Sequence, residues 1–418
     1  MISYEEALSI VLEQSQPLGE ETHRLNDLLG GVLARPVLAP HDLPLFNNSA
    51  VDGFGVRISD IASATSDEPV RLKNIGTIQA GDAPSLKLAA GSTVKVLTGA
   101  QVPDGVEAIV MQEFTATENG HVAVQSSARA GENIRWRSEE FKREDTVLPA
   151  NIRVTPPVVG LLASLGCASA AIFRRPKVAV VVTGNELVQP GEPLPPGHIY
   201  ESNSHSLMAA LRALGCDPVA VHHAADSLEA VFETMRRALE EADILITTGG
   251  VSVGEFDWVK DAAERLEIQS HFWKVAIKPG KPVFFGTRDF ARGGTCDSER
   301  GRQLVFGLPG NPVAVLLTFY LFVKPALKKM QGLAPMPAFM PKARLLSDLR
   351  KKPGRLDFVR ARLGQDGEGL TVNPANRQGS HMLGGLAVAD CLIPFGREES
   401  LMSEGSWTEI IPLDWSAM

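Results

Sequence analysis

The sequence predicts a multidomain protein of α/β plus β class, organised around a central α/β domain with a mainly parallel sheet. Three observations carry that prediction. From Lys177 to about Lys328, short β-branched runs alternate with helical periods, the pattern of a sheet covered by helices on both faces. Between about 56 and 148, short apolar runs are separated by the turn signals Ala80-Gly81-Asp82, Pro103-Asp104-Gly105 and Glu118-Asn119-Gly120, which reads as a small β domain. A length of 418 residues exceeds one ordinary domain, and about three is the expectation.

Composition narrows the function classes. Hydrophobic residues make up 44% and charged residues 22%, enough apolar material for real cores in a soluble chain. The net charge of −8 argues against nucleic acid as a partner, while leaving room for a local basic site. The start, Met1-Ile2-Ser3-Tyr4-Glu5-Glu6, has no basic segment and does not read as a signal peptide. The longest apolar run, Val158 to Phe173, has 16 residues and contains Gly160 and Gly166; a helix followed by a strand explains it better than a membrane span. A cytoplasmic protein without membrane attachment is expected. Cys167, Cys216, Cys296 and Cys391 form no C-x-x-C pair, so free reduced thiols are expected rather than a zinc ribbon.

In chain order, Ser3 and Glu6 have capping-box spacing, and Ala7, Leu8, Val11 and Leu12 line one face, predicting a helix over 3–14. A second helical piece is predicted around Leu25–Leu33, weakened by Gly30-Gly31. In 43–56, Asn47, Asn48, Ser49 and Asp52 interrupt the apolar pattern; this reads either as an Asx-type turn between domains or as a carboxylate presented on a loop. The β region closes with Arg135, Trp136 and Arg137, followed by Glu139 and Glu140, either a solvated edge or a face toward a charged ligand. Thr155-Pro156 starts another helix, ended by Gly166. Strands are then predicted at Val178–Val182, Val219–His222, Ile244–Ile246, near Phe272–Ala276, at Val283–Phe285 and at Leu304–Phe306. Helices are predicted at Ser204–Leu214, at Leu228–Glu241, from Asp257, and at Val313–Lys328. After a proline-rich linker, 343–418 reads as a second β domain, with strands at Phe358–Leu363 and Leu370–Val372.

Ligands of open α/β sheets bind at the carboxyl ends of strands. Here those ends carry Asn185 and Glu186, Asp226, the loop from Thr247 to Asp257, and Gly307-Leu308-Pro309-Gly310-Asn311-Pro312. The third of these, T-T-G-G-V-S-V-G-E-F-D, follows a strand and opens a helix. Its glycines permit backbone N–H groups to approach an oxyanion. It fits neither the Walker pattern nor G-x-G-x-x-G. Lys274, Lys278 and Lys281 fall within eight residues of a turn-rich stretch and suit phosphate groups.

These segments together resemble the molybdopterin molybdenumtransferase family (MoeA, which includes the E domain of gephyrin). The matching motifs are N-N-S-A-V-D-G-F at 47–54, L-T-G-A-Q-V-P-D-G at 97–105 and P-K-V-A-V-V-V-T-G-N-E-L at 176–187. T-G-G-V-S-V-G-E-F-D at 248–257, F-W-K-V-A-I-K-P-G-K-P at 272–282, G-L-P-G-N-P-V at 307–313 and G-S-H-M at 379–382 also match, in the family's order. The resemblance implies an elongated homodimer with clefts lined by both subunits. It implies a discontinuous helical domain (1–45 and 146–175), an inserted β domain (46–145), a molybdopterin-binding α/β domain (176–329) and a C-terminal β-barrel domain (330–418). The implied reaction inserts molybdate into adenylylated molybdopterin with Mg²⁺-dependent release of AMP. Substrate arriving from an adenylyltransferase and product handed to molybdoenzymes follow from it.

By motif matching, Asp52, Glu140, Glu186, Asp226 and Asp257 take the acidic roles, with Glu186, Asp226 and Asp257 toward metal. Thr98, Gly249, Gly250, Ser252, Lys274, Lys278, Lys281, Pro309, Pro312, Arg360 and Ser380 take substrate. The chain departs from the family pattern at Ser138-Glu139-Glu140, where G-E-D is usual, and at Asn185, where Asp is usual. It also has Asn47 for Asp and Phe54 for Tyr. Those changes motivate an alternative, a non-catalytic molybdopterin-binding or scaffolding paralogue. A third reading, an adenylyltransferase, is disfavoured by the extra β domains.

Overall fold

Lys177-Val-Ala-Val-Val-Val-Thr183 is rich in β-branched side chains, and all but its first residue are buried. Such a run has no solvated face and belongs in the middle of a sheet. In the computed structural model, which describes residues 1–250, 258–289, 301–334 and 340–415, this strand is one of a six-stranded sheet. Its order is Asp217–Ala224, Lys177–Thr183, Ile244–Thr248, Arg302–Leu308, Pro282–Asp289, Gln269–Lys274. The first four run parallel, and the last two are antiparallel additions.

Helices cover both faces. Asn203–Ala213 and the long C-terminal helix pack on one side, burying Val180, Val182, Ile246 and Phe306 among Leu207, Leu211, Val315 and Leu317. Leu228–Glu241 and Trp258–Arg265 pack on the other, over Ala179, Val181, Leu245 and Val305. The alternation of faces along each strand is the period of two expected of a pleated sheet. The long helix runs Pro312–Thr318, widens into a π turn at Phe319–Val323 and resumes at Lys324–Met330.

The chain divides into two compact units, 1–34 with 151–156 and 169–418, and 35–150 with 157–168. The first holds the α/β sheet, the N-terminal helix and the C-terminal β domain. The helix Tyr4–Gln14 is capped by Ser3, whose Oγ accepts from Glu6 N at 3.1 Å. The C-terminal domain is a seven-stranded mixed sheet in which Leu356–Asp366 is central. The short strand Ile277–Lys278 joins that sheet beside Leu356 and Asp357, so a segment leaving the α/β sheet is stitched into the β domain. The second unit is built on another six-stranded sheet, ordered Ala108–Met111, Gly53–Val56, Ser92–Val96, Val70–Ile78, His121–Val124, Thr115–Glu118.

The predicted helix around Leu25–Leu33 is not formed. A single 3-10 turn spans Leu25–Asp27, Gly30 adopts φ +78°, and Val32 and Leu33 bridge Arg153 and Ile172. The glycine pair turns the chain instead of continuing a helix; a Cβ on Gly31 would lie 2.7 Å from Ile172 Cδ1. Among the described residues no helix is long and apolar enough to cross a membrane.

Candidate functional site

The parallel strands bring their loops to one edge of the α/β sheet. Asn185 and Asp226 lock two of those loops together: Asn185 N donates to Asp226 Oδ2 at 2.9 Å, and Asp226 N donates to Asn185 Oδ1 at 3.3 Å. An amide at 185 keeps the acceptor that an aspartate would offer and removes a negative charge from beside Asp226. Glu186 is exposed, and its carboxylate folds back over Gly184; a Cβ on that glycine would stand 2.9 Å from Glu186 Oε2.

The next loop begins at Gly249 and Gly250, with φ +82° and +66°. Both need the left-handed region that glycine adopts without penalty. A Cβ on Gly249 would meet Thr183 Oγ1 at 2.7 Å and Thr183 O at 2.8 Å. Ser252 and Asp257 lie outside the described residues. The fourth loop, Pro309–Pro312, is gripped from two sides. Asn203 Nδ2 donates to Gly310 O at 2.8 Å. On the other side Asn311 Nδ2 donates to Ser380 Oγ at 3.1 Å, and Val313 N donates to Ser380 O at 3.1 Å. Ser380 therefore joins the strand-end edge although it belongs to the β domain.

Arg360 stands behind Ser380. It is fully buried. Its Nη2 donates to the carbonyls of Arg377 (2.6 Å) and Gly379 (3.3 Å), and Gln378 closes the loop by bonding Arg360 N and O. Its Nε and Nη1 are buried without partners. A guanidinium in that state has unused donors of the kind that oxyanions accept from.

The backbone brings two of the three lysines near each other: Lys274 pairs with Pro282, and Val275 N donates to Lys281 O at 3.1 Å. Lys278 Nζ lies 3.3 Å from Asp357 Oδ2, which ties it to the β domain. Lys281 is exposed after the turn through Pro279 and Gly280. Lys274 lines a separate cavity of about 490 Å³ with Lys260, Trp273 and His271.

The other acidic residues sit in the second unit. Asp52 Oδ1 accepts from both Thr98 N and Thr98 Oγ1 at 2.7 Å. The Thr98 backbone N–H, then its hydroxyl, hold the Asp52 carboxyl below the usual aspartate range. The segment Asn47–Ser49 organises both neighbouring loops: Gly99 N donates to Ser49 O at 2.8 Å, and Asn48 and Ser49 pair with Arg135 and Ile134. Asn47 Oδ1 accepts from Arg137 N at 2.8 Å. Glu140 is exposed, its N donating to Leu43 O at 3.1 Å. Ser138, where the resembled family has glycine, takes φ +60°, a left-handed conformation costly for a residue with a Cβ.

Sequence reading did not single out Asn203 or Gln378. The signal for Asn203 was present as a capping-type residue opening a helix beside a sheet edge; Gln378 directly precedes the matched motif G-S-H-M at 379–382. Among the described residues no three His, Cys, Asp or Glu side chains form a metal-binding group.

Comparison with known proteins places this geometry. Residues 2–166 match the model of the MoeA N-terminal region (domains I and II), 179–329 that of a probable molybdopterin binding domain, and 342–413 that of the MoeA C-terminal region (domain IV). The molybdopterin molybdenumtransferase of Haemophilus influenzae is 36% identical over 99% of each chain. Molybdopterin molybdenumtransferase 2 of Mycobacterium tuberculosis is 36% identical, covering 98% of this chain and 99% of its own. The crystal structure of the molybdopterin biosynthesis MoeA protein from Pyrococcus horikoshii superposes with a TM-score of 0.81 at 28% identity, covering 99% of both chains. Matched along nearly its whole length in sequence and fold, the chain belongs to the MoeA family.

Proposed function

We propose that this chain is a molybdopterin molybdenumtransferase, which inserts molybdate into adenylylated molybdopterin with Mg²⁺-assisted release of AMP. The observation that carries the reading is near-complete coverage by curated relatives of that name at 36% identity. The strand-end edge supports it chemically. Molybdate and the substrate's phosphates are anions; backbone N–H groups at Gly249-Gly250, the loop Pro309–Pro312, Ser380 and the unused donors of Arg360 suit them. Lys274, Lys278 and Lys281 add positive charge.

Mg²⁺ takes hard oxygen ligands, keeps several waters and often needs only one or two carboxylates beside substrate phosphates. Glu186 and Asp226, on loops of adjacent strands, fit that donor set, with Asp257 the third candidate by motif. Bound there, the ion would neutralise phosphate charge as AMP leaves. Asp226 is held by Asn185 N, so its carboxylate is oriented before substrate arrives. Asp52 and Glu140 form a second acidic set, with Thr98 bonded to Asp52; the proposed role of the two carboxylates is orienting water or oxo groups in a homodimer. The subunit arrangement, a cytoplasmic location, and hand-over from the adenylyltransferase and to molybdoenzymes are parts of the same proposal. The binding-only alternative is not favoured, since the relatives are named as the transferase.

The test combines purified protein, adenylylated molybdopterin, molybdate and Mg²⁺, and follows AMP release and reactivation of a cofactor-free molybdoenzyme. Both should appear and should require Mg²⁺ and molybdate. Asp226→Ala should lower the rate by at least about 10²-fold; an unchanged rate argues against this edge as the reaction site.

A further inference from the structure

We propose that Asn203 is a positioning residue for the reaction, setting the spacing between the two glycine-bearing loops of the sheet edge. The inference rests on reading that edge as the substrate site. Asn203 opens the helix Asn203–Ala213 and is 9% exposed. Its Nδ2 donates to Gly310 O at 2.8 Å. A carbonyl oxygen only accepts, so the amide orientation is fixed: Nδ2 faces Gly310, and Oδ1 faces away. That Oδ1 is buried and has no hydrogen-bond partner. The Asn203 amide is thus committed to one task, gripping the loop.

Gly310 in turn abuts the other loop. A Cβ built on Gly310 would lie 3.7 Å from Gly249 Cα. The chain of contact runs from the helix start through Gly310 to Gly249, with Ser380 bonding the next residue, Asn311, from the opposite side. The two loops offer the backbone groups proposed to hold the anions, and the side chain at 203 sets where one stands relative to the other. A residue acting this way contributes alignment more than affinity. A displacement of about 1 Å at a reacting centre can cost about 10²-fold in rate.

Two full-length variants test this. Asn203→Asp is isosteric but places a carboxylate oxygen opposite the Gly310 carbonyl. Two acceptors repel at that distance, and the loop is pushed away. Asn203→Ala removes the grip without repulsion. The rate of AMP release at saturating substrate should fall about 10²-fold in Asn203→Asp and less in Asn203→Ala. The calorimetric Kd for AMP should change by no more than about threefold in both, because uniform binding is retained. Far-UV circular dichroism and the unfolding midpoint establish that each variant is folded; if Asn203→Asp is not, Asn203→Ala carries the test. Unchanged turnover in the folded variants overturns the inference, as does a loss that only tracks the unfolded fraction. If the wild type itself releases no AMP, the reading of the edge fails and this inference falls with it.

Discussion

Gly249→Ala is the sharpest test of the strand-end geometry, because the fold supplies its own control. Gly249 and Gly197 both have φ +82° in the same unit. A side chain in the left-handed region costs about 1–2 kcal/mol, offset in part by the reduced freedom of the unfolded chain, about 0.4–1 kcal/mol. Those terms are common to both substitutions. At Gly197 a Cβ meets nothing within 4 Å; at Gly249 it meets Thr183 Oγ1 at 2.7 Å and Thr183 O at 2.8 Å. The hydroxyl can rotate aside, but the carbonyl belongs to the backbone of an interior strand and cannot. Overpacking of this kind costs about 1–3 kcal/mol. Guanidinium unfolding followed by circular dichroism should therefore show Gly249→Ala less stable than Gly197→Ala by about 1–3 kcal/mol. AMP release should fall in the former alone. Equal stabilities, within about 0.5 kcal/mol, would refute the packing of the Gly249 loop against Thr183.

Thr98→Val removes one of the two donors to Asp52 and leaves the backbone N–H. Asp52, whose carboxyl is held below the ordinary 3.8, should titrate closer to that value in the variant, as read by NMR. Because its folded value is depressed, the contribution of Asp52 to stability is present above 3.8 and lost as pH falls through the folded value. Lys324 behaves in the opposite sense. Burial lowers its ammonium from 10.5 to about 8, so between those values the unfolded chain binds a proton that the folded chain does not. Stability should rise with pH across about 8 to 10.5, and Lys324→Met should flatten that slope in unfolding measurements. Ser138→Gly should stabilise the second unit by about 1 kcal/mol, since it relieves a left-handed non-glycine residue; a loss of stability on thermal unfolding would contradict the assigned backbone.

The α/β core was legible because its signals are local. The helix Leu228–Glu241 has the predicted bounds, and strands such as Ile244–Thr248 extend the predicted apolar runs by a residue or two. Glycines misled at 30–31, where they were weighed as weak helix formers instead of turn formers. The π turn at Phe319–Val323 has no counterpart in apolar periodicity. Site residues followed the same division. Asn185, Asp226 and Gly249 stand at the sheet edge where they were expected, because strand ends can be read along the chain. The meeting of Asn311 and Ser380, 69 residues apart, depends on how two domains pack, which no local pattern records.

Arg360 carries a consequence for engineering. Position 360 lies in the central strand of the C-terminal sheet, where an unbranched apolar side chain would remove the unpaired donors but also take away the donor that the carbonyls of Arg377 and Gly379 share. Two unmet donors on a buried guanidinium cost folding free energy that a fully paired one would not. On the proposed function, those same idle donors await the oxyanion. Stability and turnover then pull in opposite directions at one residue. A thermostability screen blind to activity does not see those donors, so a directed-evolution library for this enzyme should keep position 360 out of its randomised set.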